Sequence, residues 1–222
     1  MNDPASLQSR LGYQFKDRAL LVRALTHRSR GRDNNERLEY LGDSILGFVI
    51  AEALFARFPT ASEGDLTRMR THLVRKQTLA AQARNLAMEG CLRLGGGALK
   101  SGAGDHDAIL ADAFEAVVGA IYLDGDLPTV TVVLLDLFDE QLGRISPLEQ
   151  KDHKTRLQEH LQKRGLPLPV YEVVERSGKA HALTFTVICR TDGLPEPVAA
   201  SGATRRSAEQ NAACETLALL EA

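Results

Sequence analysis

Apolar side chains recur every three or four residues along most of the first 145 positions, in Ala19–Ala24, Leu38–Phe58, Leu66–Leu86, Ile109–Leu123 and Val130–Leu142. That spacing predicts a bundle of helices. Leu127-Pro128-Thr129 interrupts the chain before the last stretch, with Thr129 as the expected N-cap. Phe48, Phe55 and Phe58 fall at core spacing on their helix. Gly95 to Gly104 is the one evident flexible loop, and it lacks the Gly-Lys-Ser/Thr ending of a phosphate loop.

The pattern changes after residue 145. Residues 146–152 are polar, contain Pro147 and read as a linker. A short amphipathic helix is predicted over Lys154–Arg164 and strands over Val170–Arg176, Leu183–Arg190 and Val198–Ser201. A last helix follows over Thr204–Leu220, with Ala212, Ala213, Thr216, Leu217 and Leu220 on its inner face. The expected fold is a mainly α N-terminal helical domain, residues 1–145, and a small α+β (α-β-β-β-α) C-terminal domain, residues 153–222.

Composition adds little to this. The 222 residues are 44% hydrophobic and 25% charged, as in ordinary globular chains. No apolar run is long enough to span a bilayer, so no membrane partner is expected. Met1 to Arg10 lacks the apolar core of a signal peptide. Cys91, Cys189 and Cys214 form no Cys-x-x-Cys pair, which points away from zinc and disulfides and toward a reducing cytoplasm. The net charge of −2 does not by itself suggest a nucleic-acid binder. Any such partner must be held by the placement of charge.

Charge placement is unusual in two segments. Glu36, Glu39 and Asp43 stand at i, i+3 and i+7 and share a helix arc of about 60°. The same stripe runs on into Gly47, Ile50 and Leu54, while Leu38, Leu41, Ile45 and Val49 fill the other side. A helix apolar nearly all round is a buried one. No lysine lies one turn away to pair these acids. Asp112 and Glu115 repeat the habit at i, i+3, on a stripe with Ala108, Ala116 and Gly119. If Gly47 faces Gly119, the acidic ends of the two stripes meet. Close carboxylates repel one another unless a cation joins them or a proton is shared. Carboxylate oxygens without His or Cys select Mg²⁺ or Mn²⁺. On spacing alone, a metal site and a partly protonated structural cluster both remain open.

These segments resemble bacterial ribonuclease III. The resemblance rests on Asn35-Glu36-Arg37-Leu38-Glu39-Tyr40-Leu41-Gly42-Asp43-Ser44-Ile45-Leu46, preceded by Leu25-Thr26-His27-Arg28-Ser29. It continues with Glu63-Gly64-Asp65-Leu66-Thr67-Arg68-Met69-Arg70 and Ile109-Leu110-Ala111-Asp112-Ala113-Phe114-Glu115-Ala116. It implies a homodimeric Mg²⁺-dependent endonuclease for double-stranded RNA, with Mn²⁺ a substitute. Products would carry 5′-phosphate and 3′-hydroxyl ends with a short 3′ overhang. The implied substrates are ribosomal RNA precursors and some messenger RNAs, with transfer RNA processing implied as well. Glu39, Asp43, Asp112 and Glu115 would hold the metal, with Glu115 essential, and Glu36 and Glu63 would assist. Where the family often has His, this chain has Asn34, and little consequence is expected.

The C-terminal part looks like a double-stranded RNA-binding domain. Thr155, Gln158 and Glu159 would then touch minor-groove 2′-hydroxyls, His181 the next minor groove, and Arg205 and Arg206 the phosphates between. Taken alone, the arginine pair is an ordinary solvated surface feature and His181 an ordinary strand-entry residue. A third basic position usual in such domains is Glu209 here, which implies weaker standalone affinity and a shallower salt dependence. Two other readings differ in kind. A non-catalytic RNA-binding protein of the same fold would tend to lose the acids, and all six are present. A DNA nuclease would have no use for 2′-hydroxyl contacts.

Overall fold

Glu36–Arg57 and Ala103–Asp124 form the two longest helices among the described residues, and the N-terminal part of the molecule is built on their crossing. The computed structural model describes residues 4–96, 103–147, 152–178 and 183–221. The chain divides into two compact units, Met1–Pro147 and Leu148–Ala222.

The first unit is helical, as its apolar spacing predicts. Its helices are α1 (Pro4–Leu11), α2 (Arg18–Ala24), α3 (Glu36–Arg57), α4 (Glu63–Val74), α5 (Lys76–Asn85), α6 (Ala103–Asp124), α7 (Leu127–Leu137) and α8 (Asp139–Arg144). Leu46, Ile50 and Leu54 of α3 meet Leu110, Phe114 and Val117 of α6 in one core, all of them buried. Phe138 closes that core edge-on against Phe114, with ring centroids 6.1 Å apart.

Several expectations need correction. The stretch Leu66–Leu86 is two helices, because Arg75 is extended (φ −68, ψ 151) and serves as the C-cap of α4 and the N-cap of α5. No Gly or Pro marks the break. It is held locally, by the Thr78 hydroxyl donating to the His72 carbonyl at 2.9 Å. Val130–Leu142 likewise divides at Phe138. Helix α7 begins at Leu127, before Pro128, and its N-cap is Asp126. Thr129 donates its backbone N–H to that aspartate at 2.9 Å, so it is the capped residue, not the cap. Phe58 packs on the core, but Phe48 and Phe55 are exposed, as is Tyr40. Helical spacing separates faces without telling a core from an uncovered apolar surface.

The second unit has the expected order: α9 (His153–Lys163), β1 (Val170–Ser177), β2 (Thr184–Arg190), β3 (Val198–Gly202) and α10 (Arg205–Glu221). The strands form an antiparallel sheet in sequence order. Val170 pairs with Arg190, and Phe185 pairs with Gly202. Val187, Cys189 and Ala200 face Leu157 and Leu161 of α9 and the inner face of α10, where all five predicted residues are buried. Among the described residues, no helix is long and apolar enough to cross a membrane.

Candidate functional site

The acids of α3 and α6 meet because two glycines let these helices touch. A Cβ at Gly42 would overlap the Glu115 carbonyl oxygen and come within 3.0 Å of the Gly119 nitrogen. A Cβ at Gly119 would overlap the Leu38 carbonyl oxygen. Gly47, expected to face Gly119, has open space at its Cβ. The close approach is therefore one turn nearer the acids than the stripe suggested, with Glu39 and Asp43 flanking the contact glycine.

At this crossing Glu39, Asp112 and Glu115 each offer a carboxylate oxygen, and the three lie within 4.8 Å of one another. All three are half-buried. Asp43 is exposed and stands outside this trio, yet it acts on Glu115 as the largest neighbouring charge. Burial and then the charges of Asp43, Asp112 and Glu39 push the Glu115 carboxyl up to about 8. Burial raises Glu39 too, helped by Asp112 and Glu36. Burial also raises Asp112, against Lys76, His27 and Arg28, which favour its charge. The chain thus supplies cations near the acids, from neighbouring elements and not from α3 itself. They do not neutralise the cluster. Oxygen-only donors with uncompensated charge fit a hard divalent cation.

The first rank of acids is framed by the segment before α3. Arg93 donates to the Leu25 carbonyl at 2.8 Å, and His27 to the Arg93 carbonyl at 3.1 Å. The Gly95 N–H reaches the Ser29 hydroxyl at 2.9 Å. Leu25 to Ser29 is thereby fixed beside the cluster. Glu36 is exposed, 3.8 Å from Arg28. Asn34 holds it from two sides: the Glu36 N–H donates to Asn34 Oδ1 at 3.0 Å, and Asn34 Nδ2 donates to the Glu36 carboxylate at 3.2 Å. Asn34 therefore does more than expected, because it replaces the side-chain cap that Asn35 does not make. Glu63 is not brought to the trio. It accepts from the Thr67 hydroxyl at 2.7 Å and lines an apolar groove with Phe48, Phe55 and Leu66.

In the second unit, Thr155, Gln158, Arg205 and Arg206 line one open cavity of about 640 Å³. Asp152 caps α9 by accepting from the Thr155 N–H at 2.8 Å. Thr204 and Ser207 cap α10 reciprocally, each N–H donating to the other's hydroxyl at 3.0–3.1 Å. Both arginines then occupy its first exposed turn. Glu159 is half-buried on α9 and does not line that cavity. His181 lies outside the described residues.

A helix crossing that gathers carboxylates, followed by an α-β-β-β-α unit with an arginine-rich helix start, is the arrangement expected of a nuclease that acts on double-stranded RNA. Comparison with known proteins gives the family. Residues 17–140 match the model described as Ribonuclease-III-like, and residues 153–220 match the double-stranded RNA binding motif. The chain is 54% identical to Ribonuclease 3 of Colwellia psychrerythraea, over 98% of its own length and 82% of that protein. It is 53% identical to Ribonuclease 3 of Proteus mirabilis, over 97% and 96%. Two structures of the ribonuclease III nuclease domain from Campylobacter jejuni superpose with TM-scores of 0.60 and 0.61, at 37% and 36% identity. They cover 62% and 66% of this chain and 97% and 100% of their own. One of them concerns flexibility in a region involved in dimer formation. The chain belongs to the ribonuclease III family and is an endoribonuclease for double-stranded RNA.

Proposed function

We propose that the enzyme is Mg²⁺-dependent, with Glu39, Asp43, Asp112 and Glu115 holding the metal and Glu36 and Glu63 assisting. The observation that carries this reading is the trio of carboxylate oxygens within 4.8 Å at the α3–α6 crossing. When bound, Mg²⁺ supplies charge neutralisation at the phosphodiester and a reactive water. Arg28 and Asn34 keep Glu36 at the edge of the cluster. Burial raises the Asp112 carboxyl, and Lys76, His27 and Arg28 oppose that rise by favouring its charged form. Thr155, Gln158, Glu159, His181, Arg205 and Arg206 grip the duplex by its A-form shape, through 2′-hydroxyls and phosphates.

The working form is a homodimer. Tyr40, Phe48 and Phe55 leave an apolar surface on α3, and the groove beside it is lined by Phe48, Phe55 and Leu66. A second copy covers this surface, and Glu63 on the groove wall serves the dimer-linked site. Each protomer cuts one strand, leaving 5′-phosphate and 3′-hydroxyl ends with a short 3′ overhang. The setting is the cytoplasm, in keeping with the free thiols of Cys91, Cys189 and Cys214. The substrates are duplexes in ribosomal RNA precursors and in some messenger RNAs, with transfer RNA processing a further role.

The test is incubation of a perfect RNA duplex and a matched DNA duplex with Mg²⁺, with Ca²⁺ and with EDTA, followed by end mapping. RNA should be cut with Mg²⁺ alone, leaving 5′-phosphates. Cleavage in EDTA, or equal cleavage of DNA, contradicts the reading.

A further inference from the structure

Glu209 stands where an RNA-binding surface is expected to be basic, and the sequence alone makes it a loss. Its surroundings say otherwise. One carboxylate oxygen accepts from Lys154 Nζ at 2.7 Å and the other from Arg205 Nε at 2.8 Å. Lys154 comes from α9 and Arg205 from the first turn of α10, so one acid ties together the two helices that line the cavity. Lys154 is held twice more: its ammonium lies 4.3 Å from the centroid of the Tyr171 ring, and its backbone N–H donates to Gln210 Oε1 at 3.2 Å. The Glu209 side chain is only 13% exposed, whereas that of Arg205 is 66% exposed. The acid thus lies beneath the guanidinium rather than in front of it. The Arg205 bond is made through Nε, so it does not use the terminal nitrogens, the pair that suits a phosphate. Lys154 and then Arg205 also hold the Glu209 carboxyl below the usual range, so it stays charged.

We propose that Glu209 is a positioning residue for RNA binding, fixing Arg205 and Lys154 as preformed phosphate contacts, with Lys154 a third cation beside Arg205 and Arg206. This rests on the reading that this face binds the duplex. It reverses the sign expected from charge alone. Removing an acid from an RNA-binding surface should tighten binding if only net charge matters. Removing a positioning residue should weaken it.

The experiment measures binding of the full chain to a short perfect RNA duplex in EDTA across a salt series, for wild type, Glu209→Gln and Arg206→Ala. Glu209→Gln should weaken binding about fivefold to tenfold and reduce the salt slope by about one unit, as loss of one phosphate contact does. In Mg²⁺ its KM should rise while kcat holds. Arg206→Ala should weaken binding directly. If Glu209→Gln binds as tightly as wild type or tighter while Arg206→Ala is weakened, the positioning role is overturned and the RNA-binding face stands. If Arg206→Ala has no effect, the face itself is misassigned and the proposal falls with it. The Arg205 Nε–H resonance gives a readout independent of RNA. It should be protected from exchange in the wild-type chain and unprotected in Glu209→Gln, and its absence from the wild type overturns the proposal.

Discussion

Glu115 shows most clearly what a single residue contributes. Its carboxyl is pushed up to about 8 by burial and by three neighbouring acids. The folded state thus binds a proton more tightly than the unfolded chain, whose glutamates titrate near 4.5. Stability from this group is full below pH 4.5 and is lost as pH rises through about 8. In EDTA, the melting temperature of the first unit should fall across that window. About 1 kcal/mol corresponds to roughly 2–4 °C for a chain of this length. Glu115→Gln, which cannot ionise, should flatten the fall, and Mg²⁺ should restore the wild type at high pH. Calorimetry at several pH values checks this. If wild type and variant fall alike, the strain on Glu115 is not what the geometry implies. The sequence displayed the acids but not this strain, because its largest cause is burial, and the crossing that brings Asp43 and Glu39 of α3 to Glu115 of α6 cannot be placed by spacing on either helix alone.

At the scale of elements, the crossing of α3 and α6 decides everything. Gly42→Ala and Gly119→Ala each put a methyl group into backbone, so the helices must part. Such overpacking costs about 1–3 kcal/mol or more, and it should separate Glu39 from Asp112 and Glu115 and abolish cleavage. Gly47→Ala meets open space and should leave the fold intact, with a helix-propensity gain of about 0.5–1 kcal/mol. Thermal unfolding and cleavage assays of the three variants check the ranking. The sequence made a close approach of small residues legible, yet it pointed to the wrong glycine of α3. Periodicity gives a face, and the depth along the helix at which two faces touch is set by tertiary packing. The inner face of α10 was fully legible because alternatives to burying Ala212, Ala213, Thr216, Leu217 and Leu220 are few. The break at Arg75 was not, since it is made by a dihedral angle and a threonine hydroxyl rather than by Gly or Pro.

For the whole molecule, the uncovered face of α3 matters most. Phe48 and Phe55 are 53% and 72% exposed, and burying aromatic side chains of this size is a large driving force for association. Phe48→Asp should convert the proposed homodimer to a monomer in analytical ultracentrifugation while leaving the helical content unchanged. A variant that remains dimeric would show that the copies meet elsewhere. These phenylalanines have the same spacing as the core residues beside them. Their surface position becomes visible only when the neighbours of α3 are in place.

The central claim is that the carboxylate cluster performs the cutting and the rest of the chain holds the duplex. It is tested most directly by Glu115→Gln, with duplex binding measured in Ca²⁺ and cleavage measured in Mg²⁺ on the same preparation. Binding should stay within about twofold of wild type, while cleavage should drop by at least roughly two to three orders of magnitude. Cleavage at the wild-type rate, or binding lost together with cleavage in a folded protein, would contradict the account.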